Sequence, residues 1–456
     1  MVPTADNRLT ETWRPALPDN AAFWDNARPC HRWVQALFDR TTQVDLPQHW
    51  GLSADLWMTP EQDTYFFCDL HADAQAFLRS LKLSGLITAD SQLEQIHLTE
   101  QGARSQIIIG GDCFDKGPSN LALLALIGRL RHSSAKVILL AGNHDMRIYA
   151  GLMALNVMHD LRQAHFFIRM GRKTARLFAE VYAYGRAHHW RPTSVPLTEK
   201  AILDALTPSE DWFTFFPAWA QGFMAQHKID KEVRRIRHKQ ADFFSACQQQ
   251  GLSLRQLYQA VTWAQTMLLD PQGPFGWFFE HLNVLHISGS YCFSHAGLDD
   301  QMAMRLQTQT PEQINADFRR QVKKGELFQL YYSALGNTFR TKYRAGDFPL
   351  SARGVRLLKE KSIYAMVNGH RSHPNGQQLF VREGLLNFEC DTQLNENCRR
   401  KKRHATLGQA VTIFHQDGRV EGLSGDYPAV KQFHPDHLVS GTQRVRRQDG
   451  QEKQAL

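Results

Sequence analysis

The chain has 456 residues, 43% of them hydrophobic, and a formal charge of +8 with its 21 histidines neutral. This length and apolar content support a large core and, as a starting expectation, two or three domains. The longest apolar runs, such as residues 121–127, fall far short of the roughly 20 residues that span a bilayer, which argues against a membrane-embedded protein. The positive balance would help to draw in phosphate-bearing partners, although a solvated basic surface accounts for it as simply.

The seven cysteines are scattered, without a CxxC pair, which suits a reducing compartment. Asp6, Arg8, Glu11, Arg14 and Asp19 interrupt any apolar run at the N-terminus, so no cleavable signal is expected. The expectation is a cytoplasmic protein, with a specialised secretion route left open.

Residues 1–60 hold Trp13, Trp24, Trp33, Trp50 and Trp57. Aromatics at this density need burial, so the segment is predicted to pack on the main domain as an arm. Strand-like runs follow at 64–68, 106–109 and 136–140, each short, apolar and ending in a polar motif. Helical spacing separates them, at 72–83 and 119–131. Alternating strand and helix predicts a layered α/β core. Residues 146–286 change character: the apolar spacing is helical, and Pro192, Pro196, Pro217, Pro271 and Pro274 punctuate it. This predicts a helical cap inserted into the core, which then comprises residues 61–145 and 287–430. Both anchor points lie next to motifs, so the cap is expected to overhang the site and select substrates by shape. Strands return at 290–293, 363–367, 378–381, 385–389 and 410–414, predicting a second, more antiparallel sheet. From 431 the chain reads as a polar tail. Two basic runs, at 231–239 and in a predicted loop at 399–403, read as solvated surfaces, without the interleaved aromatics of a nucleic-acid groove.

The polar motifs are Asp69-Leu-His71, Gly111-Asp112-Cys-Phe-Asp115-Lys116-Gly117, Gly142-Asn143-His144-Asp145, Ser294-His295-Ala-Gly297 and Asn368-Gly369-His370. They gather carboxylate, carboxamide and imidazole groups just after predicted strands, the usual position for a site in an open α/β sheet. This is a donor set for two cations roughly 3.5–4 Å apart that activate a water for attack at phosphorus.

Five such motifs in order resemble the calcineurin-like metallophosphoesterases, and most closely the PPP-type phosphoprotein phosphatases and their bacterial relatives. The resemblance spans about residues 64 to 391. It implies a β-sandwich core flanked by helices. It also implies a ligand set of Asp69, His71, Asp112, Asn143, His295 and His370, with Asp112 bridging two divalent ions. Mn²⁺ is the expected ion, and Fe or Zn²⁺ would suit the same mixed donors. By the same resemblance, His144 is the general acid for the leaving oxygen, and Asp115 orients it. Lys116 stands where these phosphatases carry Arg, keeping the charge but not the two-point grip on phosphate. Arg353 and Arg344 are further candidates for a phosphate-binding cation. Ala72 replaces the Gly usual after the first His, with little harm expected. Ser372 stands where nuclease-like members carry a second His, and His373 comes one residue late, on the opposite face of an extended segment.

The expected function is therefore hydrolysis of a phosphomonoester on a protein side chain by a metal-bridging hydroxide. The alternatives are a hydrolase of dinucleotide polyphosphates or other small phosphoesters, more remotely a nuclease, and a non-catalytic binding protein with a relic site.

Overall fold

The computed structural model describes residues 22–23, 28–29 and 56–435, except 193, 197, 345 and 346. Its strands in chain order are β1 (Ala22–Phe23), β2 (Arg28–Pro29), β3 (Thr64–Phe67), β4 (Gln106–Ile109), β5 (Lys136–Leu140), β6 (Leu282–Asn283) and β7 (His286–Ser288). They continue with β8 (Tyr291–Phe293), β9 (Ala365–Asn368), β10 (Gln378–Arg382), β11 (Leu385–Glu389), β12 (Ala410–Phe414), β13 (Val420–Ser424) and β14 (Lys431–Phe433). One sheet runs β1-β14-β13-β12-β3-β4-β5-β6 and the other β2-β10-β11-β9-β8-β7.

Strand sequence explains the layering. In β3, Tyr65 and Phe67 pack into one buried cluster and Phe66 into another. In β4, Ile107 and Ile109 divide from Ile108 in the same way. Such strands are apolar on both faces because both faces are covered. The cluster containing Phe66 and Ile108 lies between the sheets, where Phe66 meets Phe293 and Tyr291 meets Phe414, with ring centroids 5.7 and 4.7 Å apart. The other cluster joins the outer face of the first sheet to the helices.

Strands β3, β4 and β5 are mutually parallel, as are β8, β9 and β11. Their carboxyl ends therefore present the motif loops along common edges. The second sheet is antiparallel only at β7–β8 and β10–β11, a more mixed pattern than the sequence predicts. Strand β12 joins the first sheet instead, antiparallel to β3.

Between β5 and β6 the regular structure is helical, from Asn143–Ala154 to Trp277–Glu280. The predicted helices after the first two motifs form at Ala74–Leu83 and Asn120–Arg131, capped by Asp73 and Ser119. Where the sequence suggests a tail from 431, β14 pairs with β13, and Phe433 packs on Phe388. The basic run at 399–403, read as a loop, lies mostly in a short helix, Glu396–Lys402. Its Arg399 is buried and ion-paired with Asp426 at 2.6 Å. Most of the Trp-rich segment, including Trp13, Trp24, Trp33 and Trp50, lies outside the described residues. Trp57 is described and stacks on Tyr364. Among the described residues, no helix is long and apolar enough to cross a membrane.

Candidate active site

Asp69 follows β3, Asp112 follows β4, Asn143 follows β5, His295 follows β8 and His370 follows β9. The loops turn sharply there. Asp69, His71, Ala72, Asp112, Asp115, Lys116 and His370 all have positive φ, between 44° and 71°. Left-handed backbone costs a non-glycine residue about 1–2 kcal/mol, so the surroundings must hold it. They do so through bonds between loops: Asp69 N–H to Gly111 O at 3.0 Å, His71 N–H to Asp112 O at 2.8 Å, and Ala72 N–H to Cys113 O at 2.7 Å. Ala72, expected to be a harmless exchange for Gly, sits at φ 56° and adds to this strain. Close approach also demands glycine: a Cβ on Gly142 would lie 2.0 Å from Asp112 N, and one on Gly369 2.0 Å from Asp69 Oδ2.

Asp145 locks the arrangement. Its Oδ2 accepts from Asp112 N–H and Gly142 N–H, at 2.8 and 2.9 Å. Its Oδ1 accepts from Cys113 N–H and Phe114 N–H, at 2.8 and 3.3 Å. Burial and the Asp112 carboxylate push the Asp145 carboxyl up to about 7, against four N–H donors that favour the anion.

The donor atoms converge on Asp112. His295 Nδ1 meets Gly110 O at 2.7 Å, which places its proton there. Its buried Nε2 lone pair, unpartnered, faces Asp112 Oδ1 at 3.4 Å. His71 likewise meets Phe114 O through Nδ1 at 3.1 Å, and points Nε2 toward Asp69 Oδ1 and Asp112 Oδ2, at 3.8 and 3.7 Å. At His295 a lone pair facing a carboxylate oxygen with no proton between them is a fit for a cation, whereas at His71 the Lys116 ammonium stands in that place. Two trios, His71–Asp112–His144 and Asp112–His295–His370, each bring ligand atoms within 4.8 Å of one another. Asn143 reaches His370 Nδ1 at 2.9 Å with its carboxamide. Asp69 Oδ2 accepts from His370 N–H at 2.8 Å. Burial, reinforced by Asp391 and Asp112, holds the Asp69 carboxyl well above the usual range. Burial acts the same way on Asp112, but His295, His144, His71 and Lys116 outweigh it and hold that group well below.

His144 Nδ1 lies 2.8 Å from Asp115 Oδ2, and His144 Nε2 lies 3.9 Å from Asp112 Oδ2. Burial lowers the His144 imidazole, and Arg147 adds to that, while Asp112 and Asp115 oppose it. Asp115 N–H donates to Asn120 Oδ1 at 3.0 Å. Glu180, from the helical stretch between β5 and β6, accepts in turn from Leu121 N–H, Ser119 Oγ and Asn120 Nδ2, at 3.0, 3.2 and 3.3 Å. Phe114 of the same loop stacks on Phe279 of the insertion, with centroids 5.8 Å apart.

The candidate phosphate-binding cations separate. Lys116 Nζ stands 2.5 Å from His71 Nε2, among the donors instead of beyond them. Arg344 is exposed on the loop that carries Lys342. Lys342 is exposed as well; partial burial lowers its ammonium, as do Arg344, Arg371 and Lys116, while Asp69 opposes them. Arg353 is exposed on the helix Ala352–Glu360, and nothing ties it to the cluster. The sequence reading passes over Arg147, whose Nη1 is 3.8 Å from Asp115 Oδ2. It follows His144 by three residues on one helix, a spacing that puts both on one face.

The calcineurin-like phosphoesterase family model matches residues 64–234. The match covers under half of the chain and marks that stretch as similar to calcineurin-like phosphoesterases. The matched family uses a dinuclear metal site, and the His and Asp groups clustered here are of the kind that hold metal. No curated protein matches the sequence of this chain. Solved structures similar to this chain include a mutant cold-active protein tyrosine phosphatase, at 16% identity and a TM-score of 0.44, covering 86% of this chain and 92% of that one. Another is the cold-active protein-tyrosine phosphatase of a psychrophilic Shewanella species, at 14% identity and 0.42, covering 88% of each chain. A third is a protein serine/threonine phosphatase from Saccharomyces cerevisiae, at 11% identity and 0.32, covering 82% of this chain and 81% of that one.

Proposed function

We propose that this protein hydrolyses phosphomonoesters on protein side chains, with no covalent phosphoenzyme. Asp69, His71 and Asp112 would hold one divalent ion, and Asp112, Asn143, His295 and His370 the other, Mn²⁺ being the candidate to try first. Two ions there would supply an activated water and neutralise charge at phosphorus. The observation that carries the reading is the His144–Asp115 pair set directly beside the Asp112 donor cluster. Asp115 fixes the imidazole through Nδ1 and stabilises its protonated form. That leaves Nε2 to give a proton to the leaving oxygen on the side where the donors converge. The Lys342–Arg344 loop offers positive charge for the phosphoryl oxygens.

Against a nuclease stands the fifth motif. Ser372 hydrogen-bonds toward Asp391, and His373 Nε2 is held by Glu389 Oε2 at 2.8 Å, so His373 is engaged elsewhere. The deciding assay is Mn²⁺-supplemented hydrolysis of phosphopeptides, dinucleoside polyphosphates and single-stranded DNA. Preferred release of phosphate from the peptides supports the proposal. Preferred cleavage of either of the other two overturns it.

A further inference from the structure

Beside the catalytic pair lies a cavity of about 440 Å³ whose wall carries Arg147, Arg169, Arg172, Lys173, Arg235 and Lys239. Three segments build it. Arg147 projects from the helix Asn143–Ala154, within 3.8 Å of the Asp115 carboxylate that orients His144. Arg169 lies in the last turn of the short helix Phe166–Met170, and Gly171, at φ 74°, turns the chain so that Arg172 and Lys173 follow on the next turn. Arg235 and Lys239 come from the helix Gln226–Gln249.

Charge within the cavity is not balanced. Glu232 pairs with Arg169 at 3.1 Å and with Arg235 at 3.2 Å. Asp242 also lines the wall. Among the described residues, Arg172 and Lys173 have neither an ion pair nor a side-chain hydrogen bond, and both are exposed. The same two residues line a neighbouring cavity of about 390 Å³ that contains Lys116, so they stand on both approaches to the catalytic loop. The crowding shows in the lysines. Burial, with Arg147 and Arg169, pushes the Lys239 ammonium down to about 7. The Lys173 ammonium, though its side chain reaches solvent, is lowered by partial desolvation and by Lys116 and Arg147, with Asp115 opposing. An anion seated between these groups would relieve that repulsion and be held by charge-assisted bonds.

We infer that this cavity is a subsite for a second phosphoryl group of the substrate, so that the enzyme favours multiply phosphorylated molecules over singly phosphorylated ones. The inference rests on the phosphatase reading above and adds the chemical class of the substrate. A peptide with two phosphorylated residues and a dinucleoside polyphosphate both supply the second group, and the assay separates them.

The test compares a doubly phosphorylated peptide, its singly phosphorylated form, a dinucleoside tetraphosphate and an aryl phosphate, using the full-length, metal-loaded enzyme. In the wild type, kcat/KM for the doubly phosphorylated peptide should exceed that for the single form by roughly 10-fold or more, the scale of one or two bonds to a charged group. The double variant R172A/K173A should lose that preference through KM, with kcat and aryl phosphate turnover unchanged. A control that removes two charges elsewhere, K323A/K324A, should keep it. A higher kcat/KM on the tetraphosphate, abolished by R172A/K173A, would keep the subsite, assign its second phosphate to a nucleotide and overturn the phosphatase reading. Peptide binding by fluorescence anisotropy is read in parallel. Equal affinity of R172A/K173A and wild type for the doubly phosphorylated peptide would overturn the subsite, whatever the turnover. Tight binding lost in the variant, without hydrolysis of any phosphomonoester, would keep the subsite and sink the phosphatase reading.

Discussion

Replacing Asp145 by Asn changes one atom of the side chain and removes the anchor shared by the second and third motifs. The two carboxylate oxygens accept four backbone N–H groups, two on each side. A carboxamide can accept on one side only, and its NH₂ must then face two N–H donors. Two bonds to a charged acceptor are lost, each contributing about 1.5–3 kcal/mol, and two buried donors are stranded. Relief of the burial of a carboxylate beside Asp112 returns part of this. The expected net loss is about 3–5 kcal/mol of unfolding free energy, measured by urea denaturation of wild type and variant under identical metal loading. Because Asp112 N–H is one of the four donors, metal content by elemental analysis should fall as well. A variant within about 1 kcal/mol of wild type, the net contribution of a single ordinary hydrogen bond, and fully metal-loaded, would refute this account of the loops.

Asp112→Asn should lose both metals and activity, since one carboxylate faces both donor trios; two metals per chain with normal turnover would remove Asp112 from the site. His144→Asn should retain metal yet slow turnover by roughly 10²–10⁴-fold, less for an aryl than for an alkyl phosphate; equal losses on both would argue against proton donation. Glu389 is held down to about 2 by Arg371, His373 and Arg382 despite its burial. Its depressed folded value means it stabilises the fold by about 3 kcal/mol above the unfolded value near 4.5, and this is lost as pH falls toward 2. Glu389→Gln should flatten acid unfolding over that window while destabilising the protein at pH 7, where Arg371 and Arg382 lose their partner; an unchanged acid profile would contradict this.

Much of the architecture is legible because strand, loop and helix follow one another locally. The motif loops begin where apolar runs such as Gln106–Ile109 stop, and Ser119 signals the helix that follows. What escaped depends on distant partners. Nothing in the alternation of Ala410–Phe414 says which sheet it joins, because either would bury both of its faces. Arg147 and Lys342 gain meaning only when folding sets one beside Asp115 and the other near Asp69. Arg353 and Arg344 looked equivalent in sequence, yet only the second shares a loop with Lys342, whose ammonium feels Lys116 and Asp69. Arg399 read as solvated because its partner, Asp426, lies 27 residues away.

The Glu180 contacts bear on how freely this enzyme's accessory region can be traded. Glu180 holds the start of the helix Asn120–Arg131, Asn120 holds Asp115, and Asp115 holds the imidazole. A loop exchange or a proteolytic nick within residues 160–280 would thus travel down a relay of three hydrogen-bonded partners to the His144 imidazole. The helices between β5 and β6 thus buttress the loop that carries Asp115. A chimera carrying a foreign cap would need its own carboxylate at that spot, or it would keep its metals and still hydrolyse poorly any ester whose leaving group needs a proton.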